Sequence, residues 1–249
     1  MTPQQAARLL VAARTGGPAV LWRDMLPADR AGAYAIQDAT LATIGPIAGW
    51  KVGAKSPHTE PHCAPLPASG IHASGVTLKG PVWRWRCVEV ELAFRLGRDL
   101  DPKGRLLAPA ELADAFDAVL PVIELVESRL LDGQTADPLA HLADLQCHSA
   151  LVLGSPSGLT PAHVDLRTLE ATLSFCRAPA THTLGGNPAQ DVWRLLSWLA
   201  VHCAGRGQPL RAGQIVTTGS CTGLLAAPVD STVRGEIAGA GAVELRFES

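Results

Sequence analysis

The stretch "CVEVELAFRL", residues 87–96, decides the fold class and raises the main question about function. Val88, Val90, Leu92, Phe94 and Leu96 fall on one side, and Glu89, Glu91, Ala93 and Arg95 on the other. That period of two is the mark of a half-buried β-strand. On a strand, side chains at i and i+2 share a face, with Cα atoms about 6.5–7 Å apart. On a helix the same pair would diverge by about 200°. The carboxylates of Glu89 and Glu91 therefore converge, which is unfavourable unless something positive lies between them. Taken alone, the stretch also fits a strand face simply solvated by water.

A third carboxylate changes the weighing. In "PVIELVES" (121–128), Glu124 is surrounded by Val122, Ile123, Leu125 and Val126. An ionised carboxylate in so apolar a strand is costly to bury without a cation or strong hydrogen bonds; an edge strand with Glu124 in solvent is the alternative. Together, Glu89, Glu91 and Glu124 make a hard oxygen-ligand set suited to Mg²⁺ or Mn²⁺, with the remaining positions open to water or substrate.

Lys51 in "GWKVG" is flanked by Gly49 and Gly53, which allow close backbone approach. Beside a metal it would act as electrostatic partner or proton carrier; otherwise it is a strand lysine whose stem lies over Trp50. "TTGSCTG" (217–223) ends an apolar strand in hydroxyl and glycine residues, so Thr218, Gly219 and Ser220 can offer N–H and hydroxyl groups to a substrate oxygen. Its G-S-x-x-G spacing is not that of a nucleophile elbow. His58, His62, Cys63 and His72 do not read as a zinc site, because Pro61 opposes a helix aligning the first two histidines and no cysteine pair accompanies them. The histidines at 141, 148, 163, 182 and 202 show no usable spacing.

Around these motifs the chain reads as α+β. Thr2-Pro3-Gln4-Gln5 caps a first helix with Leu9, Leu10 and Ala13 on its apolar face, ending at Gly16-Gly17. A second helix is expected from about Ala28 to Thr43, closed by Gly45-Pro46. The Pro- and Gly-rich stretch 57–81 reads as an ordered loop or lid. Pro109 opens a helix with Leu112, Phe116, Val119 and Leu120 in one stripe, and Asn187-Pro188 opens another with Val192, Leu195, Leu196 and Leu199 inward. Strands are expected at 121–128, 150–153, 169–176 and 214–223, and through Val243, Leu245 and Phe247 at the end. With no repeat and no second linker, residues 1–249 are expected to form one domain, with a helical section at 1–45 and a catalytic β-section with inserted helices at 46–249.

The composition bounds the function. The 249 residues are 47 % hydrophobic and 18 % charged, enough for a substantial core. A net charge of −2, with one tyrosine and four phenylalanines, offers neither a basic surface nor a stacking platform for nucleic acid. No apolar run of 18 or more residues suggests a membrane span. Six single cysteines (63, 87, 147, 176, 203 and 221) and an N-terminus unlike a signal peptide point to free thiols in the cytoplasm.

"GWKVGAKS", "VEVELAFRLGRDL", "PVIELVESRL" and "TTGSCTG", in this order, resemble the hydratase/decarboxylase branch of the fumarylacetoacetate hydrolase superfamily over nearly the whole chain. The E-x-E strand followed by a distant glutamate before an acidic-Ser-Arg triplet is the specific part. The resemblance implies a mixed β-sheet roll with an N-terminal helical section, and a homo-oligomer. It also implies metal ligation by Glu89, Glu91 and Glu124, with Lys51 as the active-site lysine. The implied reaction is Mg²⁺- or Mn²⁺-dependent addition of water to a small 2-hydroxy-2,4-dienoate or 2-keto-4-enoate through a metal-stabilised enolate. A 2-keto diacid decarboxylase of the 4-oxalocrotonate type stands as the alternative. So does a C–C hydrolase of the acylpyruvate type, which would need a His-Glu pair from His58, Glu60, His62 and His72. A non-catalytic binding protein is a further reading.

Two departures stand out. Where the family has an "ADNAS"-like stretch, this chain has "ADLQC" (143–147), with Leu145 for the asparagine and Cys147 for a serine that would face substrate. Cys147 is carried as a substrate-binding candidate, and both residues are expected to dry the far end of the site, which would ease decarboxylation relative to hydration. In "CAPLPASG" (63–70), only Ala68 and Ser69 stand where the hydratases tend to carry an acidic residue.

Overall fold

The structure, a computed structural model, describes residues 1–249. Helix α1 (Pro3–Arg14) starts on a capping box: Gln5 N–H donates to Thr2 Oγ1 (3.2 Å) and Thr2 N–H to Gln5 Oε1 (2.8 Å). It buries Ala6, Ala7 and Leu10, whereas Leu9, expected inward, is exposed. Helix α2 (Arg30–Ile44) is capped by Asp29, which accepts from Gly32 N–H at 2.8 Å, and closes at Gly45 with φ +105°. The two helices pack on each other.

Next come β1 (Ile47–Gly53), β2 (His62–Pro67), β3 (Ile71–Ala73) and β4 (Val76–Lys79). The 57–81 stretch is thus not one loop or lid. It supplies three short strands, each at the edge of a sheet, where proline forfeits no ladder bond and the sequence pattern fades.

The Glu-pair segment is β5 (Cys87–Leu96), followed by α3 (Pro109–Ala113) and β6 (Phe116–Val126). The helix expected through Leu120 is therefore a single turn. Phe116 starts an eleven-residue strand whose Val119 enters the main core while Leu120 faces a second cluster on the opposite side. Spacings of four and seven mimic a helix. The continuous run of buried apolar residues and the proline at 121 belong instead to a central strand covered on both faces.

The remaining major elements, short turns and two-residue strands aside, are α4 (Pro138–Ala143), β7 (His148–Leu153), β8 (Glu170–Phe175), β9 (Ala178–Leu184), α5 (Val192–Gly205), β10 (Ile215–Ser220), β11 (Thr232–Ile237) and β12 (Gly241–Glu248). Helix α5 begins later than its Asn-Pro signal. Asp191 Oδ1 accepts from Trp193 and Arg194 N–H at 3.0 and 3.1 Å, which leaves Asn187 free for another role.

One mixed sheet runs β2-β1-β10-β5-β6-β7-β3 and a second runs β9-β8-β11-β12-β4. The sheets meet closely at Gly235 of β11, where a Cβ would come within 2.8 Å of Val90 Cγ2. Val88, Val90, Leu92, Phe94 and Leu96 fill the main core. The opposite face of β5 is largely covered too: Ala93 packs with Leu66, Leu120, Val122, Leu151 and Ile215, and Glu91 is 1 % exposed, while Arg95 reaches the surface to pair with Asp117. This is the α+β architecture expected, with its helical section at the N-terminus and a mixed sheet behind it. No helix is long and apolar enough to cross a membrane.

Candidate active site

Strand register gathers the acidic residues. Glu89 on β5 lies directly opposite Glu124 on β6, and Glu91 lies opposite Ser220 on β10. Lys51 on β1 pairs with Thr217, one strand further along. Close approach of β1 to β10 depends on Gly49, where a Cβ would come 2.1 Å from the Ile215 carbonyl oxygen. One oxygen from each of Glu89, Glu91 and Glu124 lies within 4.8 Å of the others. A cation with metal–oxygen bonds of about 2.0–2.6 Å fits such a spacing.

Glu124 is fully buried, and its Oε1 accepts from Lys51 Nζ at 2.6 Å and His148 Nδ1 at 2.9 Å. Its Oε2 is buried with no partner. Burial works against the charge of Glu124, but Lys51 and His148 outweigh it and hold the carboxyl at about 2. Burial pushes His148 down to about 4 against the pull of Glu124, so the ring is neutral and its Nδ1–H is the donor. For Glu89 and Glu91, burial and then the charge of Glu124 push the pKa up. Burial opposes the ammonium of Lys51, yet Glu124, Glu89 and Glu91 raise its pKa. With all three carboxylates ionised, as ligation of a cation requires, and Lys51 protonated, the set carries two negative charges in a buried place. An orphaned carboxylate oxygen, three hard ligands and a charge of minus two fit one divalent cation.

The loop after β10 fixes this arrangement. Gly219 N–H donates to Glu91 Oε2 at 3.0 Å, from a backbone with φ +90° that favours glycine. Asn187 clamps the turn, its Nδ2 donating to the carbonyls of Thr218 and Gly219 (both 2.9 Å) while its Oδ1 accepts from Ala189 N–H (3.0 Å). Thr218 is buried and donates to the Leu92 carbonyl at 2.9 Å, so it anchors the loop. Gly219 and Ser220 line a cavity of about 290 Å³ together with Lys51, Lys55, His62, Glu89, Glu91, Gln146 and Asn187. The Ser220 hydroxyl has no hydrogen-bond partner there.

Cys147 is not in that lining. Its thiol faces His141 Nδ1 at 2.9 Å, and Leu145 packs against Leu41 and Ala64, so neither residue dries the cavity. Gln146 takes the place, with its carbonyl 3.3 Å from Lys51 Nζ. Leu145, Gln146 and Cys147 hold φ of +51°, +53° and +57°, a left-handed run costly for side chains with a Cβ. A buried ion pair braces it: Arg129 Nε donates to Asp144 Oδ1 at 2.6 Å and Arg129 N–H to Oδ2 at 3.0 Å.

Gln146, His148 and Asn187 were not legible as site residues. His148 opens a strand paired beside Glu124 and Asn187 sits in a helix-start signal, so only the sheet pairing and the loop contact reveal them. His58, His62, Cys63 and His72 form no cluster of metal-ligating atoms, and Glu60 is held by Arg30 at 3.1 Å rather than by a histidine.

Residues 41–248 match the family model of the fumarylacetoacetate (FAA) hydrolase C-terminal domain. A 2-keto-4-pentenoate hydratase from Paraburkholderia xenovorans is 29 % identical over 100 % of this chain and 97 % of its own length. A second, from Paraburkholderia phymatum, is 31 % identical over 86 % and 85 %. The solved structure of 4-oxalocrotonate decarboxylase from Pseudomonas putida G7, complexed with magnesium and adipate, is similar in fold with a TM-score of 0.82 and 21 % identity, covering 99 % of this chain and 98 % of that one. This chain belongs to the fumarylacetoacetate hydrolase family, in the branch of the 2-keto-4-pentenoate hydratases.

Proposed function

We propose that this chain is a lyase that adds water to a 2-hydroxy-2,4-dienoate or 2-keto-4-enoate, with Mg²⁺ or Mn²⁺ held by Glu89, Glu91 and Glu124. The observation that carries the proposal is the convergence of three carboxylates within 4.8 Å of one another, with one buried, unpartnered oxygen on Glu124. When bound, the cation supplies Lewis acidity at the carboxylate and 2-oxo end of the substrate.

The protein's own groups do the rest. Lys51, held protonated between Glu124 and the Gln146 carbonyl, lines the cavity as its nearest proton donor to the glutamates. The Gly219 backbone N–H holds Glu91 Oε2 and so fixes the orientation of that carboxylate. Hydration needs a water molecule held away from the acidic end. Gln146 and His62, which also line the neighbouring cavity, provide polar wall there, while Ser220 lies opposite Glu91 at the acidic end. Burial and then the charges of Lys51, Arg30 and Lys55 push His62 down to about 4, which leaves a neutral ring able to accept a hydrogen bond from water. A polar wall favours hydration over the decarboxylation that a dry one would suit. Glu60 pairs with Arg30 and not with His58, His62 or His72, so the His-Glu pair that C–C hydrolysis would need from this stretch is not formed. Six free cysteines suit a reducing cytoplasm.

The test is to incubate Mg²⁺-loaded protein with 2-hydroxypenta-2,4-dienoate and follow the conjugated absorbance. Formation of 4-hydroxy-2-oxopentanoate, lost on chelation and restored by Mg²⁺, is the expected outcome. Release of CO₂ from a vinylogous 2-keto diacid without hydration of the dienoate would move the assignment to the decarboxylase, and silence with both would refute it.

A further inference from the structure

The cavity beside the glutamates is small. Its volume of about 290 Å³ lies at the lower edge of the roughly 300–1,000 Å³ common for small-molecule sites. Three of its lining residues, Lys55, His62 and Gln146, also line an adjoining second cavity of about 470 Å³. The two walls differ in charge. The first carries the acidic cluster, while the second brings Arg30 and Lys55 together with a single carboxylate, Glu60.

Of the lysines and arginines lining either cavity, Lys51 is paired with Glu124 and Arg30 with Glu60, and Lys55 alone has no carboxylate partner. The Arg30–Glu60 contact is a surface pair, with side chains 35 % and 64 % exposed, so it holds little energy against a competing anion. Arg30 is itself well positioned, since it also donates to the Pro61 carbonyl and lies 3.4 Å from the Tyr34 hydroxyl. An unpaired cation on the wall shared by two cavities, with an anchored guanidinium in the second, is a receptor for a carboxylate.

We propose that the second cavity receives the distal carboxylate of a dicarboxylic substrate, with Lys55 and Arg30 as specificity-determining residues. The preferred substrate is then a 2-keto-4-ene or 2-hydroxydiene dioic acid rather than the five-carbon monoacid. The proposal rests on the glutamate site holding the keto-acid end.

Binding tests it without turnover. Mg²⁺-loaded protein is titrated calorimetrically with 2-oxoheptanedioate and with 2-oxoheptanoate, which match in length and lack the reactive double bond. The dioate should bind at least 10-fold tighter, as expected for a charge-assisted contact, and the preference should shrink with added salt. Lys55→Ala should erase most of the preference and Lys55→Glu should reverse it; position 55 is exposed, so the fold is not at stake. Equal wild-type affinities, or a preference untouched by Lys55→Glu, overturn the proposal while leaving the glutamate site intact. Failure of both acids to bind overturns the reading of the glutamate site, and the tail proposal falls with it.

Discussion

Glu91→Gln separates metal binding from folding. The side chain is 1 % exposed, and its Oε2 accepts from Gly219 N–H at 3.0 Å, a bond that the glutamine carbonyl oxygen can keep. The substitution is isosteric and removes one of three crowded negative charges. The metal-free protein should therefore melt no lower than wild type, because mutual repulsion is relieved. Metal binding should suffer, since a neutral amide is a poor ligand for a hard cation. Outer-shell partners of metal sites cost about 10–100-fold on mutation, so loss of a direct ligand should reach at least 100-fold. At Mg²⁺ one hundred times the wild-type Kd, bound metal stabilises the fold by about 2.7 kcal/mol; at 100-fold weaker affinity the same Mg²⁺ contributes about 0.4 kcal/mol. At about 2–4 °C per kcal/mol for a chain of this size, the Mg²⁺-induced rise in Tm should shrink from about 5–10 °C to about 1 °C. Differential scanning fluorimetry with and without Mg²⁺ reads this directly. An undiminished Mg²⁺ shift in Glu91→Gln would remove Glu91 from the ligand set.

Three further substitutions probe the supporting parts. Lys51→Ala should lower kcat by about 10²–10⁴-fold while calorimetric Mg²⁺ binding is retained, and a normal kcat would reduce Lys51 to a structural ion pair. Asn187→Ala deletes three neutral hydrogen bonds at roughly 1 kcal/mol each and frees the turn that orients Glu91, so thermal stability and Mg²⁺ affinity should fall together. Asp144→Ala strands the buried Arg129 charge and should cost about 3–5 kcal/mol in chemical denaturation, whereas Asp144→Leu with Arg129→Met should recover most of the loss. Equal damage from the single and double changes would mean that the turn, not the charge, is what the pair protects.

The parts of this molecule that the sequence exposed are those where a side chain contradicts its neighbours. Glu89, Glu91 and Glu124 were visible because charge interrupts a strand pattern, and the strand register then placed Glu89 and Glu124 face to face. Lys51 stood out between two glycines, one of which the structure puts hard against the Ile215 backbone. What stayed hidden depends on contacts across the chain. Gln146 reaches the cavity only because three consecutive residues adopt left-handed backbone, which no spacing rule announces. Asn187 carried the signature of a helix start, but Asp191 caps the helix and Asn187 turns to the Thr218–Gly219 loop instead. Phe116–Leu120 misled because its spacing serves a helix and a doubly buried strand equally well; the density of buried apolar residues and the proline at 121 were the better guide. Cys147 followed from a family pattern, and the turn that carries it points the thiol toward His141, away from the cavity.

Glu89, Glu91 and Glu124 are proposed to hold one divalent cation with open positions for a keto acid. Crystals soaked in Mn²⁺ and oxalate, measured at the manganese absorption edge, test it most directly. A single strong anomalous peak should lie about 2.0–2.4 Å from an oxygen of each glutamate, with oxalate on the remaining positions on the Lys51 side. A peak bound by other residues, or none among the three carboxylates under saturating Mn²⁺, would contradict it.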